Sequence, residues 1–153
     1  MVFEDFKFCY RFRVRWSETD AQGVVFNARY LDYADLAITE YWRAVNFRAL
    51  AGGMPMEFHV AQADVTFKAP IKPDELIAAW VRTERIGTSS MTAIIHITGT
   101  EADDDVRAII REVMVHVDLA AHKPMAIPAF VRLAFEAFAH RETPLVCGEL
   151  IAR

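Results

Sequence analysis

The chain has 153 residues, 54% of them hydrophobic and 25% charged, with a formal net charge of -4, which fits one compact domain over residues 1–153 and leaves little room for two. A mildly acidic balance argues against nucleic acid as the main partner, no apolar run approaches the roughly 18 residues needed to cross a bilayer, and 12% aromatic content excludes disorder. Two cysteines, Cys9 and Cys147, make no disulfide framework, and the start Met1-Val2-Phe3-Glu4-Asp5 is acidic where a secretory signal is basic. The expectation is a soluble, unexported, cytoplasmic protein.

Phe6, Phe8, Tyr10, Phe12 and Val14 alternate with Lys7, Cys9, Arg11, Arg13 and Arg15, the period of a strand with one buried face. Between Gly23 and Gly52 there is neither Gly nor Pro, and Leu31, Ala34, Ile38, Tyr41, Trp42 and Val45 recur at helical spacing. This predicts one long amphipathic helix from near Asn27 to before Gly52-Gly53, some 20 residues and roughly 30 Å long. After Pro55 the period returns to two. His59, Ala61, Ala63, Val65 and Phe67 form one row, Leu76 to Arg85 another strand, Gly87 a turn, and Met91 to Thr98 the next strand. Asp103-Asp104-Asp105 reads as a hairpin tip, and Val113, Val115, Val117 and Leu119 alternate with Met114, His116 and Asp118 in the last long strand. Phe130 to Phe138 carries a short helical pattern after Pro124 and Pro128, so a C-terminal helix and tail occupy 128–153.

Short connections between four successive strands imply an antiparallel meander. One strand, one long helix, four strands and a terminal helix make an α+β fold, a curved antiparallel sheet of about five strands around one helix. A doubly wound fold would need helices between successive strands.

No G-x-S-x-G elbow, Walker A sequence, G-x-G-x-x-G or H-E-x-x-H occurs, so those reaction classes lose their usual support. His59, His96 and His116 are isolated on predicted strands and read as ordinary strand histidines satisfied by backbone or water, with no metal site expected. Cys9, on the polar row of the first strand and without a nearby histidine, reads as a bystander thiol.

The segment Trp16-Ser17-Glu18-Thr19-Asp20-Ala21-Gln22-Gly23-Val24-Val25-Phe26-Asn27 joins the first strand to the long helix and carries two carboxylates. A carboxylate near a helix N-terminus lies beside unpaired backbone N–H groups. Two uses of that geometry stand side by side. Asp20 and Thr19 hold the loop, or Asp20 supplies a base or nucleophile for acyl transfer while the helix amides stabilise the oxyanion.

Tyr10 to Leu31, with T-D-x-x-G-V-V at Thr19-Asp20-Ala21-Gln22-Gly23-Val24-Val25 and then Asn27-Ala28-Arg29-Tyr30-Leu31, resembles the 4-hydroxybenzoyl-CoA thioesterase-like family of hotdog-fold acyl-CoA thioesterases. The resemblance continues through Thr39-Glu40-Tyr41-Trp42-Arg43, Pro70, Asp74 and Gly87-Thr88-Ser89-Ser90, roughly residues 6–135 in all. It implies hydrolysis of an acyl- or aryl-CoA to free acid and coenzyme A, with no metal or redox cofactor, and an active site between two subunits of a homodimer or homotetramer. Edge pairing of so small a sheet across a two-fold axis points the same way.

Carried over residue by residue, the resemblance implies that Asp20 is the catalytic carboxylate, that the backbone N–H near Asn27 polarises the thioester carbonyl, and that Gly23 lets the loop come close. Position 27 departs from the His or Tyr of relatives; the Asn side chain is expected to act as a helix-initiating residue. Val25, Phe26 and Tyr30 are candidate substrate contacts, with Phe58 and Met54 as further pocket lining. Asp35 matches an acidic helix position and either tunes the pocket or is a solvated carboxylate, and Asp32 and Glu40 are weaker rivals of Asp20. Ser89 and Ser90 match the turn bordering the coenzyme A channel. Arg82 and Arg85, with Lys68 and Lys72 behind them, are the cations expected to rim the phosphates. A hotdog enoyl-CoA hydratase and a non-catalytic acyl-thioester binder are the alternatives. The hydratase usually needs a loop or helix His, and none lies between Met1 and Phe58.

Overall fold

A computed structural model describes residues 4–102 and 104–149; Asp103 of the expected hairpin tip and 150–153 of the expected tail lie outside the described residues. In chain order the elements are β1 (Phe8–Arg13), α1 (Arg29–Val45), β2 (Glu57–Phe67), β3 (Leu76–Ile86), β4 (Ser90–Gly99), β5 (Val106–Asp118), the short β6 (Lys123–Pro124), α2 (Ala129–Ala139) and β7 (Leu145–Gly148). The seven-stranded sheet runs β2-β5-β4-β3-β1-β7, with β6 beside β5. Only β3, β4 and β5 form the expected meander: β2 pairs with β5, not β3, and becomes an edge. β7, which carries no strong pattern in the sequence, adds in parallel to β1. No helix of the described residues is long and apolar enough to cross a membrane.

α1 lies on the concave face and buries Tyr30, Tyr33, Ala34, Ala37, Ile38 and Tyr41. Each large apolar side chain so buried contributes about 1.5–3 kcal/mol. The helix is shorter than its pattern suggests. Asn46 turns left-handed at φ 60° with its N–H on the Trp42 carbonyl, and Phe47–Ala51 continues as a 3-10 turn. The apolar periodicity runs on because Phe47 still points inward, fully buried between Trp42 (5.6 Å) and Phe135 (5.3 Å) of α2. α2 follows Pro128 and closes the far end of α1, where Tyr41 meets Phe135 and Phe138 edge-on, each at 5.6 Å.

Two strand faces differ from expectation. On β5 the buried row is Ala108, Ile110, Glu112, Met114 and His116, while Val113, Val115 and Val117 lie half-buried on the other face. On β2 a bulge between Val60 and Gln62 shifts the alternation, and most of the strand is exposed, with no strand on its outer edge among the described residues. Cys9, expected on a polar row, is fully buried, and burial pushes its thiol up to about 12.

Candidate active site

The loop between β1 and α1 is held at both ends. The Phe26 N–H donates to the Glu18 carbonyl (2.9 Å), the Val25 N–H to the Ile71 carbonyl (2.8 Å), and Thr19 bridges Val25. Inside these ties Asp20-Ala21-Gln22-Gly23 is a turn closed by the Gly23 N–H on the Asp20 carbonyl (3.0 Å). Gly23 has φ +73°, and a Cβ built there meets nothing within 4 Å. Backbone conformation, not crowding, therefore demands glycine. One carboxylate oxygen of Asp20, Oδ1, accepts the Gln22 N–H at 2.8 Å. Among the described residues nothing else holds this half-exposed side chain, so Oδ2 is available.

Asn27 does not cap α1. Ala28 is the N-cap, in helical conformation and without a side-chain hydrogen bond, and Asn27 is exposed. The Arg29 and Tyr30 N–H groups are spent on the Phe26 and Asn27 carbonyls (2.9 and 3.4 Å). Among the described residues the N–H groups of Asn27 and Ala28 donate to nothing. Two unspent donors at the positive end of a helix can polarise a carbonyl.

The other expected site residues divide. Val25 is 4% exposed and belongs to the core; Phe26 is 47% exposed beside the turn. Tyr30 is buried, edge-on to Phe67 of β2 at 4.9 Å, and burial holds its phenol above the usual range. Tyr33 is buried near Glu18, and desolvation with that carboxylate raises its phenol too, coupling the loop to the helix. Asp35 is exposed on α1 but bears on Glu112 of β5, which is only 5% exposed and has its carboxyl pushed up to about 7, first by burial and then by Asp35. Asp32 pairs with Arg29 at 3.1 Å, and Glu40 with Arg43, so both rivals of Asp20 are engaged at the surface.

The cations do not form one rim. Arg82 and Arg85 line a cavity of about 360 Å³ with Lys7, Arg132, Glu84 and Glu136, under α2. Lys68 and Lys72 lie before β3, whose 11 residues span roughly 35 Å, so they are at its opposite end and not behind the arginines. Arg82 sits over the Phe6 ring at 5.5 Å. Ser89 and Ser90 adjoin the arginine end, where their carbonyls accept the His116 and Gly87 N–H groups (2.8 and 2.7 Å). The Asp20 loop is at the other end of β3, since Asp74 and Glu75 bond to Val14. His116 is only half satisfied, contrary to expectation: it is fully buried with Nδ1 3.1 Å from the Ala126 carbonyl, while Nε2 is buried without a hydrogen-bond partner among the described residues. No group of three potential metal ligands occurs among the described residues.

Sequence reasoning missed Arg107, whose guanidinium joins Asp105 (2.7 Å), Glu75 (2.5 Å) and the Pro70 carbonyl (2.8 Å). Pro70 precedes Ile71, the anchor of Val25, so this cluster steadies the Asp20 loop from behind. It also missed Glu112, whose signal is an acid in the apolar row Ala108-Ile110-Glu112-Met114.

Residues 14–135 match the model of the thioesterase-like superfamily. The chain belongs to that family. It is 30% identical over 138 residues to acyl-CoA thioesterase YbgC of Haemophilus influenzae, covering 84% of this chain and 93% of that protein. Among solved structures, a thioesterase from Thermus thermophilus complexed with coenzyme A and Zn is 28% identical, with 93% of this chain and 99% of that chain covered and a TM-score of 0.76. The BH1999 gentisyl-coenzyme A thioesterase is 26% identical, with 84% and 98% covered and a TM-score of 0.70. The α+β arrangement of this thioesterase-like chain, an open antiparallel sheet around α1, is the hotdog fold.

Proposed function

We propose that this chain is an acyl-CoA thioesterase that hydrolyses an acyl- or aryl-CoA to free acid and coenzyme A, with Asp20 as base or nucleophile and the Asn27 and Ala28 amides as oxyanion donors. The observation that carries the reading is the junction itself, where a carboxylate with one unspent oxygen and two unspent N–H donors belong to one tied loop. With Asp20 as base, it takes a proton from water as the water oxygen bonds to the thioester carbon. The carbonyl oxygen gathers charge facing the amides, the C–S bond breaks, and the proton passes to the departing thiolate. Coenzyme A enters as part of the substrate, and the reading assigns no resident metal or redox cofactor.

The reading includes a homodimer or larger even assembly. In one chain Arg82, Arg85, Ser89 and Ser90 lie at the end of β3 away from Asp20. A second copy is the economical way to bring a phosphate-binding cluster to the Asp20 loop. The edge strand β2, with Val60 57% and Phe67 52% exposed, is the surface such a copy would cover.

The test is Asp20→Asn with a panel of acyl- and aryl-CoAs, read as release of free thiol. An Asn carbonyl oxygen can still accept the Gln22 N–H, so the turn survives while turnover falls at least about 10²-fold. Undiminished thiol release from a folded Asp20→Asn would remove Asp20 from the mechanism. In the wild type, hydration of an enoyl-CoA without thiol would mark a hydratase, and binding without any turnover an acyl-thioester binder.

A further inference from the structure

Between α1 and the edge strand β2 the sheet forms a groove whose floor follows from register. β2 sets Val65 opposite Ile110, Ala63 opposite Glu112 and Phe58 opposite His116. α1 touches β2 at two places, Tyr30 on Phe67 at 4.9 Å and Trp42 on Phe58 at 5.1 Å. The first lies at the amino end of the helix, beside the free N–H groups of Asn27 and Ala28. The second lies three turns on, where Phe58 also stacks on His116 at 5.1 Å and closes the groove.

Glu112 lies midway. Its neighbours across the sheet are Ala63 on one side and Ala93 on the other, so within the sheet small side chains without polar groups flank it. Among the described residues no hydrogen bond or ion pair reaches it, and Asp35 on α1 is the charged group that bears on it. A glutamate only 5% exposed, whose carboxyl makes no hydrogen bond among the described residues, is costly in a core that could have held Leu or Met. Burial and Asp35 favour its protonated form, which both donates and accepts.

We propose that Glu112 is a specificity-determining residue that hydrogen-bonds a neutral hydroxyl on the acyl chain of the substrate, and that Asp35 opposite it turns away acyl groups ending in a carboxylate. The inference rests on the thioesterase reading for the position of the thioester. Seven positions separate Ala28 from Asp35, about 10 Å along the helix. An acyl chain of about six carbons, ending in a hydroxyl and one hydrogen bond, covers that distance. Ala63 is exposed in the single chain beside Glu112, and a second copy on β2 would wall the groove there, so the acyl chain enters from the Asn27 end.

The test uses hexanoyl-CoA, omega-hydroxyhexanoyl-CoA and adipoyl-CoA with the wild type, Glu112→Gln and Glu112→Leu, reading thiol release and calorimetric binding. The wild type should prefer the hydroxylated ester over hexanoyl-CoA by about tenfold or more and reject adipoyl-CoA. Glu112→Gln should keep the hydroxyl preference, and Glu112→Leu should reverse it. Ala63→Leu, checked by light scattering to assemble as the wild type does, should lower the ratio of hexanoyl- to acetyl-CoA turnover at least about tenfold and serves if Glu112→Leu folds poorly. The same acyl preference in wild type and a folded Glu112→Leu, or an unchanged chain-length ratio in Ala63→Leu, would overturn the proposal. Hydroxyl-dependent binding without thiol release would refute the hydrolase and leave the groove standing.

Discussion

Replacing Glu112 by Gln should change the pH dependence of stability in a direction fixed by the structure. In the unfolded chain this carboxyl loses its proton near pH 4.5, and in the folded chain near 7. Between those values the native state holds a proton that the unfolded state has released, so wild-type stability falls as pH rises through the window and levels off above it. A displacement of about 2.5 units at 1.36 kcal/mol each sets a ceiling of about 3 kcal/mol. Water at the open side of the groove screens part of the Asp35 contribution, which leaves about 1–2 kcal/mol. Gln keeps the shape and cannot ionise. In urea unfolding at pH 5 and pH 8, at one protein concentration, Glu112→Gln should therefore gain about 1–2 kcal/mol on the wild type between the two conditions. Asp35→Asn should recover a smaller part, because Asp35 is the second cause of the displacement after burial. Parallel stability curves for wild type and Glu112→Gln would show that the carboxyl titrates alike in the folded and unfolded chains and would refute the reasoning.

Arg107→Ala should cost about 2–3 kcal/mol in the same assay, since it leaves Glu75 and Asp105 without their shared cation at a half-buried site. Arg107 holds the Asp105 carboxyl below its usual range, so this stabilisation is present above the unfolded pKa and fades as pH falls through the lowered one. The difference between wild type and Arg107→Ala should narrow in acid, and a constant gap would refute the ion pair as its source. Light scattering across a dilution series should find an even assembly, and a fully active monomer would defeat the shared-site reading.

The fold was legible where one face of an element meets one environment. Strand β1 and helix α1 show this, since Phe8, Phe12 and Val14 alternate inward and Tyr30, Ala34, Ile38 and Tyr41 follow one helical stripe. Legibility failed where both faces or neither are covered. Cys9 is buried on the face opposite Phe8, so alternation misread it as exposed. On β5 valines occupy the half-buried outer face while Glu112 and His116 sit in the inner row, so hydrophobicity pointed to the wrong side. Strand order was not readable either, because β2 joins β5 through contacts about 50 residues apart in the chain and no local signal encodes that choice. The loop motif located Asp20 because a tight turn before a helix has a local signature. The cations were misplaced because their grouping depends on which end of β3 they occupy.

Asn27 is where the sequence rule and the structure disagree most usefully. As an N-cap, Asn would be worth about 0.5–2 kcal/mol over Ala. With Ala28 in the cap position and no side-chain cap bond, Asn27→Ala should cost less than about 0.5 kcal/mol and leave turnover near wild type, because Ala retains the N–H. Proline at 27 removes that N–H, which no acceptor among the described residues uses, and proline is tolerated where a helix begins. Asn27→Pro should therefore fold with a cooperative thermal transition and lose about 10²-fold or more in kcat, the usual effect of deleting one oxyanion donor. The pair separates side chain from backbone. An inactive Asn27→Ala with normal unfolding would make the amide side chain the catalytic group. A folded Asn27→Pro with undiminished kcat would show that the Asn27 N–H contributes nothing and would shift the oxyanion role to the Ala28 N–H.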